Sequence, residues 1–164
     1  MSGAAVVRNL EPGDVEAAVA IAVAAWTPIY AQFRQTLGDE VFEAAYPNCL
    51  EAKARQVREA CDPDNRAMVC VAERDGQVVG FITFYANVRP GVGEIGNNAV
   101  HPDHRGHGIG PQMYRHVLDR FRALGMRVAK VGTGLDPSHA PARRAYEKAG
   151  FDLQLPSVAY YRTL

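Results

Sequence analysis

The chain has 164 residues, in which 18 Lys and Arg balance 18 Asp and Glu, so its formal net charge is zero. A neutral chain lacks the long-range positive field on which nucleic-acid binders depend, which argues against a dedicated DNA- or RNA-binding role. A hydrophobic fraction of 48% and a charged fraction of 22% are typical of a soluble globular protein, and the length predicts one domain over residues 1–164.

The cysteines and the N-terminus bear on location. Cys49, Cys61 and Cys70 are odd in number and have no CxxC spacing, which is typical of reduced, intracellular proteins. Residues 1–8 lack the basic start and the long apolar core of a secretory signal. The longest apolar run, residues 17–26, is shorter than a membrane span. We therefore expect a cytoplasmic protein that does not associate with a membrane.

Periodicity and turn signals predict a strand and then two helical stretches in the first part of the chain. Residues 4–8 fit a strand, and Asp14 is a good N-cap for the first helix. This helix is expected to end at about Thr27, because Pro28 follows and a residue before proline resists the helical region. A second helical stretch, broken once, covers about 38–60.

The rest of the chain is predicted to alternate strands with helices. The Asp-Gly pair at 75–76 indicates a hairpin, and the apolar spacing of the segment 111–124 makes it the clearest helix. Gly125 and Gly150 are helix stops. The predicted elements are strands at 68–72, 78–84 and about 93–101, a helix at 111–124, a strand at 127–134, a helix at 138–149, and one or two strands within 151–163.

This order predicts a mixed α/β fold. The early strands follow one another through short turns and are therefore expected to be antiparallel. The strand–helix–strand passage between residues 93 and 134 needs a crossover, which predicts a parallel pair with a right-handed connection. The expected architecture is a central, mostly antiparallel sheet with one parallel pair, flanked by helices.

The segment Arg105-Gly106-His107-Gly108-Ile109-Gly110 lies between a predicted strand and a predicted helix. Its glycines permit a tight turn and leave backbone N–H groups uncovered, and the positive end of the helix follows directly. Such a site suits a pyrophosphate. A glycine-rich turn without a ligand is the alternative interpretation. The Gly-Lys-Ser/Thr ending of a Walker A loop is absent.

Two motifs carry a resemblance to a known family. Arg105, Gly108 and Gly110 match the Arg/Gln-x-x-Gly-x-Gly/Ala signature for acetyl-CoA in the GNAT superfamily of N-acetyltransferases. The segment 142–151, which contains Tyr-Glu-Lys-Ala-Gly-Phe, resembles the second hallmark of that superfamily. The resemblance implies the GNAT fold, with the parallel pair splayed where coenzyme A binds, and acetyl-CoA as the co-substrate.

The resemblance also implies which residues contact coenzyme A. In the family the strand before the glycine loop is splayed by a bulge, for which Gly96-Asn97-Asn98 is a suitable sequence. Many members have asparagine where this chain has His139, which can still donate from a ring nitrogen. The implied cofactor-binding residues are Asn98, Ala99, Val100, Arg105, Gly106, His107, Gly108, Ile109, Gly110, His139, Ala142 and Tyr146.

Two residues are implied to act in acetyl transfer to an amine. Glu94 is the candidate general base that removes a proton from the amine, and a salt-bridged strand glutamate is its alternative interpretation. Tyr146 resembles the general acid that protonates the departing thiolate, and core packing is the alternative there. A non-catalytic acyl-CoA sensor of the same fold is disfavoured because both residues are present.

The acceptor is less well defined by the sequence. Trp26 and Tyr30 are candidate substrate-binding residues, because an aromatic wall suits a small, amino-acid-like amine, although packing of helix aromatics explains them equally well. A protein N-terminus or a lysine is the alternative acceptor, and a homodimer is left open. His101, His104 and His107 recur every three residues, but this turn lacks a closed four-ligand set, so we expect no metal.

Overall fold

The computed structural model describes residues 3–164, which form a five-stranded mixed sheet between two layers of helices. The strands lie in chain order across the sheet. Neighbouring strands are antiparallel except for the last pair, which is parallel. The predicted fold class is thus confirmed. The strands are β1 (Val6–Asn9), β2 (Met68–Arg74), β3 (Gln77–Asn87), β4 (Val92–Val100) and β5 (Val128–Val131).

Helices cover both faces of the sheet. The first and third helices pack on the face that carries Val71 and Phe81, the second packs against the first, and the last two pack on the face that carries Ile82 and Phe84. The hairpin between β2 and β3 turns at Asp75 and Gly76, which both have positive φ as the Asp-Gly signal predicts. The helices are α1 (Val15–Leu37), α2 (Asp39–Ala45), α3 (Cys49–Cys61), α4 (Ile109–Ala123) and α5 (Ala140–Lys148).

The predicted end of the first helix at Thr27 is wrong, because α1 continues through Pro28 to Leu37. Proline removes one helical hydrogen bond and costs roughly 3 kcal/mol inside a helix. Pro28 is on an exposed face, so water can reach the carbonyl that loses its partner. The buried residues before it, Ala18 to Ala25, fix the helix against the sheet and offset this cost.

The segment Pro12–Leu37 is long and apolar enough to cross a membrane by length and composition, which the run of residues 17–26 did not indicate. It is one such helix among residues 3–164, and the core helix of a soluble protein passes the same test, so its length and composition are weak evidence for a membrane span. The buried side chains Ile21 and Ala22 contact the core cluster around Val71. Of the most apolar window of this helix, 33% is buried, and these two residues belong to that part.

The strands predicted within 151–163 are absent from the described structure, which is a second correction. Phe151 packs edge-on against Tyr146 with ring centroids 6.0 Å apart, and the chain after it is exposed and forms neither helix nor strand. A strand needs a neighbour for its backbone hydrogen bonds, and this segment has none within residues 3–164.

Candidate active site

Asn98 joins two buried tyrosines in one hydrogen-bonded network. Its side-chain Nδ2 donates to the Tyr146 hydroxyl at 3.0 Å and to the carbonyl of Gly96 at 3.1 Å. Its side-chain oxygen accepts from the Tyr114 hydroxyl at 2.9 Å. The two tyrosine rings lie 5.3 Å apart between centroids. The bond from Asn98 occupies a lone pair of the Tyr146 oxygen and leaves the phenolic proton available.

A bulge in β4 turns Asn98 towards these tyrosines. In a regular strand successive side chains alternate between faces, so Ile95 and Asn98 would lie on opposite faces. Here two residues, Gly96 and Asn97, lie opposite the single residue Thr83 of β3, which restores Ile95 and Asn98 to one face. A Cβ at position 96 would lie 2.6 Å from the Thr83 hydroxyl oxygen, so only glycine fits.

The sheet opens beside this bulge. β4 and β5 pair over Val92–Ile95 and Val128–Val131, and within residues 3–164 no strand pairs with residues 96–100 on that edge. The main chain of Asn98, Ala99 and Val100 therefore borders a gap between the two parallel strands. This is the location at which the sequence predicts contact with the acetyl-pantetheine arm.

Burial defines the acidity of Tyr146, which is 7% exposed. Burial raises the pKa of the Tyr146 phenol, and hydrogen bonding with Asn98 and Tyr114 only partly opposes this. Burial raises the pKa of the Tyr114 phenol as well. Both phenols therefore stay protonated at neutral pH, and Tyr146 has a proton to donate.

The glycine loop between β4 and α4 presents uncovered backbone amides. Gly106 and Gly108 have φ of 81° and 76°, a conformation that L side chains rarely adopt, and Gly108 is the N-cap of α4. Within residues 3–164, the N–H groups of Gly106, His107 and Gly108 donate no hydrogen bond. Ile109 is 2% exposed and anchors the loop in the core. The loop thus fits the diphosphate of coenzyme A, which its free amides and the α4 N-terminus would hold.

Two residues predicted to contact pantetheine, His139 and Ala142, lie at the start of α5, and His139 belongs to the loop that precedes the helix. His139 Nδ1 lies 2.6 Å from an Asp136 carboxylate oxygen, and the backbone N–H of Ser138 donates to Gln32 on α1 at 2.7 Å. Burial alone raises the pKa of Asp136, but hydrogen bonds from Ser138 and His139 outweigh it and lower the pKa. The ionised Asp136 fixes the His139 ring, and Ala142 is half-buried one turn further along α5.

Glu94 lies on the same strand as Asn98 but outside its network. Its carboxylate accepts from Lys130 Nζ of β5 at 3.3 Å, and the Glu94 side chain is 41% exposed. Because strand residues alternate, Glu94 faces away from Ile95, towards the side of the sheet that α1 and α3 cover. A base role for Glu94 stays a prediction, since this geometry fits the salt-bridge interpretation equally.

The aromatic residues predicted to bind the acceptor separate into two groups. Trp26 is in contact with Lys53, whose Nζ lies 4.4 Å from the indole centroid. Tyr30 joins an aromatic cluster with Phe33 and Tyr46, at centroid distances of 6.0 and 6.2 Å. Their role in acceptor binding stays a prediction.

Several residues of this region were missed in the sequence. Tyr114 fits the apolar spacing of α4, and a buried hydroxyl on such a face needs a partner, which is a usable signal. Lys53 occupies a position on the apolar face of α3, which is also detectable. Asp136 gave no local signal. Among residues 3–164, no group of three or more His, Cys, Asp or Glu is placed to hold a metal ion.

Comparison with known proteins identifies the family of this chain. A family model described as "Acetyltransferase (GNAT) family" matches residues 30–151. Mycothiol acetyltransferase of Thermomonospora curvata is 29% identical over 155 residues, which are 94% of this chain and 46% of that protein. Amino-acid acetyltransferase of Ralstonia nicotianae is 39% identical over 57 residues, 35% of this chain and 13% of that protein. The chain thus spans less than half the length of either relative.

A solved structure shares the fold. PaiA N-acetyltransferase of Thermoplasma acidophilum, in complex with coenzyme A, superposes with a TM-score of 0.68 and 15% identity, covering 93% of this chain and 92% of that one. The family match covers most of the chain and includes both the glycine loop and Tyr146. The chain belongs to the GNAT family of acetyltransferases.

Proposed function

We propose that this protein transfers the acetyl group of acetyl-CoA to the primary amine of a small, amino-acid-like acceptor. The observation that carries the proposal is the Asn98–Tyr146 hydrogen bond at the bulge of β4, beside the gap between β4 and β5. It sets a protonated phenol next to the main chain along which the thioester is predicted to lie. Cytoplasmic location and a homodimeric state stay predictions of the sequence.

The transfer forms an N–C bond, breaks the C–S bond of the thioester, and needs a proton removed from nitrogen and a proton supplied to sulfur. An alkylamine has a pKa near ~10 and is mostly protonated at neutral pH, so a base must act on it. Glu94 is the proposed base, directly or through water, on the α1 and α3 side of the sheet. Lys130 holds its carboxylate in place.

Two further groups act on the thioester side. The N–H of His101 donates to Val79 of β3, so strand alternation directs the N–H groups of Asn98 and Val100 towards the gap, where they can stabilise negative charge on the acetyl oxygen without reorganisation. Tyr146 then donates its phenolic proton to the sulfur. A phenol is a weaker acid than a thiol, with reference pKa values of about 10 and about 8.5, so full transfer to a free thiolate is uphill by about 2 kcal/mol, and Tyr146 acts by stabilising the charge that develops on sulfur as the C–S bond breaks.

The small acceptor is favoured by local chemistry and by one relative. Trp26 and Tyr30 are four residues apart and therefore neighbours on one face of α1, and both are only partly buried. The relative from Ralstonia nicotianae is named as an amino-acid acetyltransferase, and its match spans 57 residues. These observations support an acceptor of that size and kind.

Thiol release from acetyl-CoA tests the proposal. The purified protein is mixed with a panel of amino acids, simple amines, lysine-containing peptides and peptides with free N-termini. We expect release with small amino-acid-like amines at a kcat/KM at least about tenfold above that for peptides. Release only with peptides would replace the small acceptor by a protein, and no release with any amine, although CoA raises the melting temperature, would make the protein an acyl-CoA sensor.

A further inference from the structure

Lys53 is a buried ammonium group without a carboxylate partner. It is 8% exposed, and no ion pair includes it within residues 3–164. Lysine is almost never buried to this extent unless an anion accompanies it. It shares the buried face of α3 with three apolar residues, Val57, Ala60 and Cys61, where the helical period places the core.

Within residues 3–164, the hydrogen bonds and the aromatic contact of the Lys53 ammonium are with neutral groups. Its Nζ donates to Gln56 Oε1 at 2.7 Å and to Asn97 Oδ1 at 3.0 Å, and it lies 4.4 Å from the centroid of Trp26. An ammonium has three N–H donors, of which the two oxygens take two. Burial lowers its pKa to about 8, so Lys53 is still mostly charged at pH 7. A cation held only by neutral groups attracts an anion strongly.

Lys53 lies between the predicted acceptor wall and the strand of the active site. Trp26 belongs to α1, one helical turn before Tyr30. Asn97 is the bulge residue next to Asn98, and its side chain reaches the α3 side of the sheet, whereas Asn98 reaches Tyr146 on the other side. A molecule that contacts Trp26 and approaches the bulge of β4 therefore meets the Lys53 ammonium.

We propose that Lys53 binds a carboxylate of the acceptor, so that the substrates of this protein are amines that also carry an acidic group, such as free amino acids. The inference rests on the proposed function and narrows its substrate class. In this arrangement Gln56 and Asn97 orient the ammonium, and the third N–H donates to the carboxylate. Lys53 selects and positions the acceptor and takes no part in proton transfer.

Matched acceptors and matched variants test the carboxylate subsite. Glycine, alanine and glutamate are compared with their α-amides by thiol release, and selectivity is the ratio of kcat/KM for acid over amide. Lys53→Met should lower this ratio by about 10–100-fold, the range for losing one charge-assisted hydrogen bond. The loss should fall mainly on KM, and Lys53→Arg should restore part of the ratio. Lys148→Met, which removes an exposed lysine, should leave the ratio unchanged.

A binding measurement separates this inference from the proposed function. The affinities of N-acetylglycine, N-acetylalanine and N-acetylglutamate, and of their amides, are measured calorimetrically in the presence of CoA. Weaker binding of the acids to Lys53→Met than to the wild type supports the subsite even where no turnover occurs. Equal selectivity and equal binding in the two proteins would overturn it while leaving acetyl transfer intact, and so would a wild type that binds none of the acids. Melting temperatures of every variant verify folding.

Discussion

Replacing Tyr146 with phenylalanine removes one hydroxyl and leaves the ring that packs against Tyr114 and Phe151. The hydroxyl accepts a hydrogen bond from Asn98 Nδ2, which keeps its second bond to the Gly96 carbonyl. The structural loss is therefore one hydrogen bond, about 0.5–1.5 kcal/mol of unfolding free energy. A positioned general acid contributes about 10²–10⁴ in kcat, which corresponds to about 2.7–5.5 kcal/mol. The catalytic effect should thus exceed the structural one.

Tyr114→Phe is the matched control. It removes the hydroxyl on the other side of Asn98, from a ring that is equally buried, at 5% exposed against 7% for Tyr146. Tyr114→Phe should lose more stability, about 1–3 kcal/mol, because it removes the donor of the Asn98 side-chain oxygen. The kcat of Tyr114→Phe should fall by less than about tenfold, because one hydrogen bond of about 1 kcal/mol that positions Asn98 is lost but the proposed acid is retained.

Single-turnover thiol release measures the chemical step, and calorimetry measures CoA affinity, which should change little in either variant. An acyl donor with a better leaving group should depend less on Tyr146, since its thiolate needs less help from an acid. The reasoning fails if Tyr146→Phe keeps the wild-type rate of the chemical step. If the rate of the chemical step falls equally in the Tyr146 and Tyr114 variants, the loss of rate comes from a displaced Asn98 and not from the missing Tyr146 phenol.

Three further substitutions test the bulge, the glycine loop and the proposed base. Gly96→Ala places a Cβ against the Thr83 hydroxyl, so we expect a stability loss of about 1–3 kcal/mol and a lower kcat, while CoA still raises the melting temperature. An unchanged kcat would contradict the role of the bulge. Gly108→Val forces a β-branched residue to positive φ, so CoA should no longer raise the melting temperature of the folded variant. Unchanged CoA affinity would show that the glycine loop is not the CoA site. Glu94→Gln should lower kcat with partial recovery at high pH, where free amine is abundant, and a pH–rate profile like that of the wild type would reduce Glu94 to the ion-pair partner of Lys130.

The parts of the site that could be predicted are those that local sequence determines. A run of alternating glycines between a strand and a helix has few conformations open to it, and Gly106 and Gly108 adopt the positive φ that such a loop needs. The bulge was expected from the resemblance to the family, and Gly96 followed by two asparagines is a sequence that suits it. Short-range backbone preferences carried the first prediction, and the family resemblance carried the second.

The parts that could not be predicted depend on distant partners. The bond from Asn98 to Tyr146 spans 48 residues, and it forms only because the bulge reverses the face of Asn98. Continuing α1 through Pro28 costs free energy locally, and the packing of α1 outweighs this cost. No rule based on local sequence predicts that outcome. Lys53 is the intermediate case, since the period of α3 marks it as buried, but only the fold shows that Trp26 and an uncharged amide are its neighbours.

The bulge of β4 also explains how one strand can serve both proton transfers of the proposed reaction. Acetyl transfer handles protons at two atoms, the attacking nitrogen and the departing sulfur, and the groups that act on them need separate positions. Two adjacent side chains in a strand point to opposite faces, so Asn97 reaches Lys53 on the α3 side while Asn98 reaches Tyr146 on the α5 side. If β4 ran through residues 95–98 as a regular strand without the bulge, Ile95 and Asn98 would face opposite ways, and Asn98 would turn from Tyr146 towards the proposed acceptor side. The bulge thus places the proposed acceptor contacts on one face of the sheet and the proposed acid on the other.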